Sequence, residues 1–353
     1  MEEQKEQFRL LDMMSQPVFC VKDNRIIMSN AAARQLLLAE NDEIRPLLGS
    51  GAGEYGDFSG GSLYLTLKLA SGEIGACVRK WEDMDVFELD EQDSSVLQAL
   101  SLASRELRKP LSAAIASTAS LLEQQENPEI RMQLAGLNQG LYRMLRILGN
   151  MSDAPDSMSS SRQETTEAGS FFFQIFEKAG TLLAGRNIRL EFSGLEKPVY
   201  CLIDRDQMER AVLNILSNAA KFSPAGSTVT ASLTRRGQTL RLSVQDSGSG
   251  IAQEVMGSLF RRYLRQPGIE DSRLGLGLGI QMIHRAAVRH GGTLLITPCG
   301  DSGTRVILTV AIRQNPSGTL RSPVFSLDYT GGIDHALVEL ADCLPAELYD
   351  GSY

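Results

Sequence analysis

Two stretches of the chain carry apolar residues at spacings of three and four, and they constrain the fold more than any other feature. In the first, Leu97, Leu100, Ser104, Leu107, Leu111, Ala114, Thr118 and Leu121 follow a heptad seam. In the second, Ile130, Leu134, Leu137, Leu141, Met144, Leu148 and Met151 do the same. Glu126-Asn127-Pro128-Glu129 between them is the expected turn. Two such helices form an antiparallel hairpin. Alone, a hairpin leaves one face bare, and a four-helix bundle with a second copy would bury it, so the pattern predicts a homodimer.

The rest of the chain bounds the function class. A length of 353 residues predicts two or three domains. The formal net charge of −8 disfavours a nucleic-acid binder, which shows a basic excess or stripe, and fits protein partners or a small anion held in a local basic site. No apolar run approaches the roughly 18–20 residues that span a bilayer, and the polar, acidic start MEEQKEQFRL is not a signal peptide. A cytoplasmic protein with no membrane span is the expectation. Cys20, Cys77, Cys201, Cys299 and Cys343 are scattered without a Cys-x-x-Cys pair, which predicts reduced, mostly buried thiols. With only His284, His290 and His335 available, a histidine metal site is not expected.

Before the hairpin, Val18–Val21 and Ile26–Met28 read as strands around the turn Lys22-Asp23-Asn24-Arg25, followed by a helix from Asn30, its N-cap, to Leu38. Ser62–Leu69 and Ile74–Trp81 read as a second strand pair. The Gly-rich stretch Gly51–Gly61 lacks the Gly-Lys-Ser/Thr ending of a phosphate loop and reads as plain loop. After the hairpin, residues 153–169 are rich in Ser, Asp, Glu and Pro and read as a linker. From 170 to 313 the elements alternate. Helices are expected at Phe171–Leu183, Asp206–Phe222 and Gly279–His290. Strands are expected at Ile188–Phe192, Val199–Ile203, Val229–Thr234, Thr239–Asp246, Thr293–Thr297 and Gly303–Val310. Helices over one face of a mixed sheet make an α/β sandwich. The tail, 314–353, offers one helix, Asp334–Cys343, and no account of its role.

Three motifs in the 170–313 region carry chemistry. Asn214, Asn218 and Lys221 are four and three residues apart and share a helix face, where two amides and an ammonium suit a metal ion and phosphate oxygens. A polar stripe of this kind is, by itself, also ordinary solvated surface. Asp246-Ser247-Gly248-Ser249-Gly250-Ile251 follows a strand. A carboxylate there accepts from an exocyclic amine such as adenine's, and the glycines let the backbone approach a flat ring; the plain alternative is a turn. Gly275-Leu276-Gly277-Leu278-Gly279-Ile280 opens a helix, whose N-terminal N–H groups form an anion site.

The three together, in this order, resemble the histidine-kinase branch of a wider ATPase superfamily that includes gyrase and mismatch-repair ATPases. The asparagine box runs from Asp204 through Asp206, Met208 and Asn214-Ile215-Leu216-Ser217-Asn218-Ala219-Ala220-Lys221 to Pro224. Asp246-x-Gly248-x-Gly250 resembles the next box, Leu259-Phe260-Arg261-Arg262-Tyr263-Leu264-Arg265 the phenylalanine box, and Gly275-x-Gly277-Leu278-Gly279 the last glycine box, with His290-Gly291-Gly292 closing the helix. The resemblance implies ATP and Mg²⁺ as cofactors. It gives Mg²⁺ to Asn214, phosphates to Asn218 and Lys221, and adenine to Asp246. Gly248, Gly250, Gly275, Gly277, Gly279 and Arg262 would shape the triphosphate pocket. Gyrase-type relatives activate water with a glutamate in the asparagine box; Asn214 is no base, so rapid hydrolysis is not expected.

The resemblance extends upstream. Residues 90–152 resemble the family's dimerisation and phosphotransfer hairpin, whose box reads Ser-His-Glu-Leu-Arg-Thr-Pro-Leu. Here it is Ser104-Arg105-Glu106-Leu107-Arg108-Lys109-Pro110-Leu111. Arg105 stands at the phosphoacceptor position, and a guanidinium offers no lone pair to attack phosphorus. Glu106, the implied base, then has nothing to activate. Lys109 replaces the Thr or Asn that would position water for phosphatase activity. Arg105, one residue off the seam, is expected to face solvent. Residues 10–88 resemble a PAS sensor domain through Pro17–Val21, Ile26–Asn30, Ala32 and Leu36. The expected fold is therefore multidomain α+β: a PAS-like α/β sensor, the hairpin, then an α/β sandwich of the histidine-kinase ATPase type. Three functions stay open: an ATP-binding, degenerate two-component sensor kinase; an active kinase whose acceptor is a partner protein or His335; and a sensor or scaffold module without enzymatic activity. A response regulator or partner kinase is the implied partner.

Overall fold

A computed structural model describes residues 16–89, 94–152, 163–250, 278–300, 302–313 and 333–351. The phenylalanine box at 259–265 with Arg262, the residues Gly275 and Gly277, and the side chains of Leu97, Leu100 and Met151 lie outside what it describes.

The N-terminal part holds β1 (Val18–Lys22), β2 (Arg25–Ser29), α1 (Ala31–Gln35), α2 (Ala52–Gly56), β3 (Ser62–Leu69), β4 (Gly72–Trp81) and β5 (Met84–Leu89). Asn30 caps α1 as its sequence position predicts, and it does more. Its buried Oδ1 accepts from the N–H groups of Ala33 and Val18, while Nδ2 donates to the carbonyl of Gln16, so one amide ties a helix start to the first strand. Leu63, Leu65 and Leu67 all point into a core with Phe19, Ile26, Val78 and Phe87, as the alternation of β3 requires. Strand β5 was not foreseen; it lies between β1 and β4 and closes the sheet.

Two long helices follow, α3 (Ser94–Gln124) and α4 (Pro128–Ser152), lying against each other. Beyond them come β6 (Glu164–Glu167), α5 (Ala168–Ala184), β7 (Arg189–Ser193), β8 (Tyr200–Ile203), α6 (Arg205–Phe222), β9 (Thr228–Arg236), β10 (Thr239–Gln245), α7 (Leu278–Arg289), β11 (Leu294–Pro298) and β12 (Thr304–Ala311). Within the stretch read as a linker, Glu164–Glu167 forms β6 and pairs antiparallel with β8. The periodic segments of this region otherwise form within a few residues of their expected positions. One core joins the apolar sides of α5, α6 and α7 to β9, β10 and β12.

The sheet order is β2-β1-β5-β4-β3-β11-β12-β10-β9-β7, antiparallel throughout except for the parallel β7–β9 pair. The junction is β3 with β11, where Ser62–Tyr64 pair with Leu294–Ile296. Two edges that would each present unpaired backbone groups thus cover one another. The tail contributes α8 (His335–Glu339), shorter than the Asp334–Cys343 helix expected. Asp334 caps it, and a 3-10 turn, Ala346–Tyr349, leads on to Asp350. Four of the five cysteines are buried, and all five are free thiols. Among the described residues no helix is long and apolar enough to cross a membrane.

Candidate nucleotide site

Helix α6 organises the site. Asp204 caps it, its Oδ1 accepting from the N–H of Gln207 at 3.2 Å. The backbone N–H of Asp204 donates to Nε2 of His290 at 2.9 Å, and Nδ1 of His290 meets the carbonyl of Ala286 at 2.6 Å. Burial lowers the His290 pKa, which keeps the ring neutral with one nitrogen free to accept. The histidine that closes α7 therefore fixes the start of α6. Met208, Ala211, Val212, Ile215, Leu216 and Ala219 then anchor α6 in the core.

The other two motifs meet α6 at different heights. Asp246 follows β10 and is buried. Its Oδ1 accepts from the N–H groups of Gly248 at 2.8 Å and Thr304 at 3.1 Å. Burial raises the carboxyl's pKa, and those two bonds oppose the rise. Both bonds fall on Oδ1, and among the described residues Oδ2 accepts none, so one carboxylate oxygen is left for an incoming N–H donor. Gly248 packs against the last turn of α6: a Cβ there would lie 2.7 Å from the carbonyl oxygen of Phe222. Only glycine permits that approach. Gly250 follows with a positive φ of 71°. At the other height Gly279, at the start of α7, brings its backbone to Asn214; a Cβ there would be 3.2 Å from Oδ1.

The expected polar stripe on α6 divides in two. Asn218 and Lys221 are half-buried, and among the described residues the Asn218 side chain has no hydrogen-bond partner. Asn214, four residues earlier, is wholly buried and fully engaged. Its Oδ1 accepts from a guanidinium nitrogen of Arg146 on α4 at 2.8 Å. Its Nδ2 donates to Oε2 of Glu339 on α8 at 2.7 Å and to the carbonyl of Arg210 at 3.2 Å. Glu339, itself wholly buried, also takes Nε of Arg210 at 3.1 Å and lies 3.4 Å from Nε of Arg146. Arg146 holds Asp342 at 2.6 Å as well. Sequence reasoning missed Arg146, Arg210, Glu339 and Asp342. Arg146 sits in the polar gaps of a heptad, where solvent exposure is the default, and nothing in the tail marks Glu339 as a partner for a residue 125 positions away.

Arg105 and Glu106 are exposed on α3 beside the buried Ser104, as a place just off the seam predicts. His335 is mostly buried, with Nδ1 3.0 Å from a Glu209 carboxylate oxygen.

The residues so described fall largely within a family match. Residues 203–314 match the model of the histidine kinase-, DNA gyrase B- and HSP90-like ATPases. The sensor protein KdpD of Clostridium acetobutylicum is 23% identical over 218 residues, which cover 60% of this chain and 24% of that protein. The histidine protein kinase DivJ of Caulobacter vibrioides is 34% identical over 113 residues, 32% of this chain and 19% of that protein. The chain therefore spans about a quarter or less of these two relatives. Among solved structures, full-length ShkA in complex with AMPPNP is 21% identical, covering 62% of this chain and 47% of that one with a TM-score of 0.48.

Proposed function

For a chain that belongs to the sensor histidine kinase family, we propose a two-component signalling protein that binds ATP with Mg²⁺ but takes up no phosphoryl group at the family's usual position. The observation that carries the proposal is a contrast. Asp246 has a carboxylate oxygen that accepts no bond among the described residues, beside a glycine backbone, whereas the exposed place on α3 where a nucleophile belongs is filled by Arg105.

The residues present fit the nucleotide. Asp246 Oδ2 would accept from the adenine amine, with Gly248 and Gly250 giving the ring room. Asn218 and Lys221 would contact phosphate, and Arg262, Gly275, Gly277 and Gly279 take the triphosphate end on motif alone. Asn214 would hold Mg²⁺ once its carbonyl is released from Arg146. Bound Mg²⁺ would neutralise phosphate charge; the chain's own part is to bind and orient. Glu106 is the family's base with no acidic proton beside it. His335 is a poor alternative acceptor, because its side chain is mostly buried.

Two further assignments belong to the same proposal. The N-terminal sheet has its own apolar cluster and supports a PAS-like sensor at 10–88. The exposed Leu107, Leu121, Leu137 and Met144 on the hairpin support a homodimer.

The test pairs wild type with Arg105→His. Calorimetry should show Mg·ATP binding to both, lost in Asp246→Asn. With γ-labelled ATP, wild type should take up no acid-labile label and Arg105→His should gain it. Acid-labile label on wild type would sink the proposal of degeneracy, and absence of nucleotide binding would favour a sensor module instead.

A further inference from the structure

The tail from 333 to 351 lies between the hairpin and the nucleotide-site domain and is bonded to both. On the hairpin side, Gln139 Nε2 donates to the carbonyls of Ala341 and Leu344 at 3.1 and 2.6 Å. Asn138 Nδ2 donates to the carbonyl of Tyr349 at 3.0 Å, and Arg143 Nε to that of Ala341 at 3.0 Å. Val338 packs with Leu111, Ile115, Leu145 and Leu148 of α3 and α4. On the other side, Lys178 of α5 pairs with Asp334 at 2.7 Å, Arg186 donates to the carbonyl of Cys343 at 2.9 Å, and Leu337, Leu340, Leu344 and Tyr349 join the main core. Between these two sets of contacts, Glu339 and Arg146 close on Asn214.

We infer that this tail is an autoinhibitory staple: it clamps the hairpin to the nucleotide domain and holds Asn214 in a closed state that Mg·ATP must open. The inference rests on the proposed nucleotide site. The physical ground is competition for one oxygen. A guanidinium nitrogen 2.8 Å from Oδ1 of Asn214 places a positive charge where a coordinated cation would sit, so the two repel each other and compete for that oxygen. The clamp is also imperfect in the way a reversible contact requires. Nε of Arg146 is buried and 3.4 Å from Glu339, yet makes no hydrogen bond among the described residues, so opening forfeits less than a fully satisfied network would. A ligand that binds only the open form has its apparent dissociation constant raised by the inverse of the open fraction. By reciprocity, whatever opens the staple tightens Mg·ATP, and Mg·ATP loosens the staple.

The experiment compares full-length wild type with Asp342→Arg and with a chain lacking 333–353. Asp342 is partly exposed and faces Arg146 at 2.6 Å and Arg143 at 3.8 Å, so reversing its charge pushes the tail away without emptying the core. Calorimetry should show Mg·ATP binding tightened about tenfold in both variants, within the range typical of coupled sites. In wild type, saturating Mg·ATP should speed amide hydrogen exchange across 335–344. If both variants are folded by circular dichroism and bind Mg·ATP no tighter than wild type, the inference is overturned. If the deletion fails to fold, Asp342→Arg decides by the same measure. Binding by none of the three proteins sinks the nucleotide site itself and the staple's role with it, a pattern distinct from equal binding by all.

Discussion

The two faces of α4 are opposite in kind to what a helix in a single folded chain ordinarily shows. Leu137 and Met144 of its apolar seam are more than half exposed, whereas the polar Asn138, Gln139 and Arg146 on the other face are buried. The buried side carries polar groups beside Ala135, Leu145 and Leu148 because it meets backbone: the tail turns after a short helix, and its free carbonyls at 341, 344 and 349 take the amide and guanidinium donors of α4. Among the described residues nothing covers Leu137 and Met144 on the exposed face. The lesson is that a heptad identifies a face that wants covering without saying that the same chain covers it. Much of the intramolecular contact is made by the polar positions between heptad residues.

The largest effect that would test this comparison comes from Arg146. Its removal leaves Glu339 wholly buried with one cation fewer, and breaking a buried pair in this way costs about 3–5 kcal/mol. Met144→Ala, two residues away but on the exposed face, should stay within about 0.5 kcal/mol in the isolated chain. Urea unfolding of Arg146→Ala beside Met144→Ala measures both. Similar losses would mean that the two faces do not differ in the way described.

Gln139→Ala comes next. One amide group serves two tail carbonyls; Arg143 still meets that of Ala341, and leaving that of Leu344 without this donor costs about 1–3 kcal/mol. The loss should appear in the urea midpoint together with faster amide exchange across 335–344. Asp334→Ala is smaller, about 1 kcal/mol for a lost N-cap, with the exposed share of the Lys178 pair adding little. A loss confined to the tail, with the rest of the exchange pattern unchanged, is the expected result.

How much of this was legible in the sequence differs from element to element, for physical reasons. Helix α6 was readable because its apolar spacing, its cap and its polar stripe agree with one another. The same stripe hid a difference: Asn214 and Asn218 are equivalent by spacing, and only the arrival of α4 and the tail makes one buried and engaged and the other available. The residues of the Asp246 wall were found, but the approach of Gly248 to Phe222 is a tertiary contact that the glycines only hint at. Strand β6 escaped because Glu164–Glu167 is polar, held by pairing with β8 rather than by an apolar face. The β3–β11 junction joins Ser62–Tyr64 to residues more than two hundred positions on, and alternation within a strand says which face is buried, not which neighbour pairs with its edge. The tail's role was unreadable for a similar reason, since its partners are side chains that local pattern assigns to solvent.

The smallest effect on the chain itself, and the most informative about the exposed face, belongs to Leu137→Glu. Leu137 is 55% exposed, so a carboxylate there stays in water and should change the stability of a single chain by no more than about 0.5 kcal/mol. In a four-helix bundle made with a second copy, the same carboxylate would be buried against apolar side chains without a cation, which is far more costly. The two cases separate cleanly by mass action. If wild type dimerises through this face, its urea midpoint rises with protein concentration, because association stabilises the folded form. The Leu137→Glu midpoint should then be independent of concentration and equal to that of dilute wild type. Sedimentation equilibrium should show the mass falling to that of one chain, while the Arg146–Glu339 contacts and the tail's slow amide exchange persist. A variant that stays dimeric, or a wild type that is monomeric at every concentration tried, would show that the exposed seam is not the surface through which copies of this chain pair.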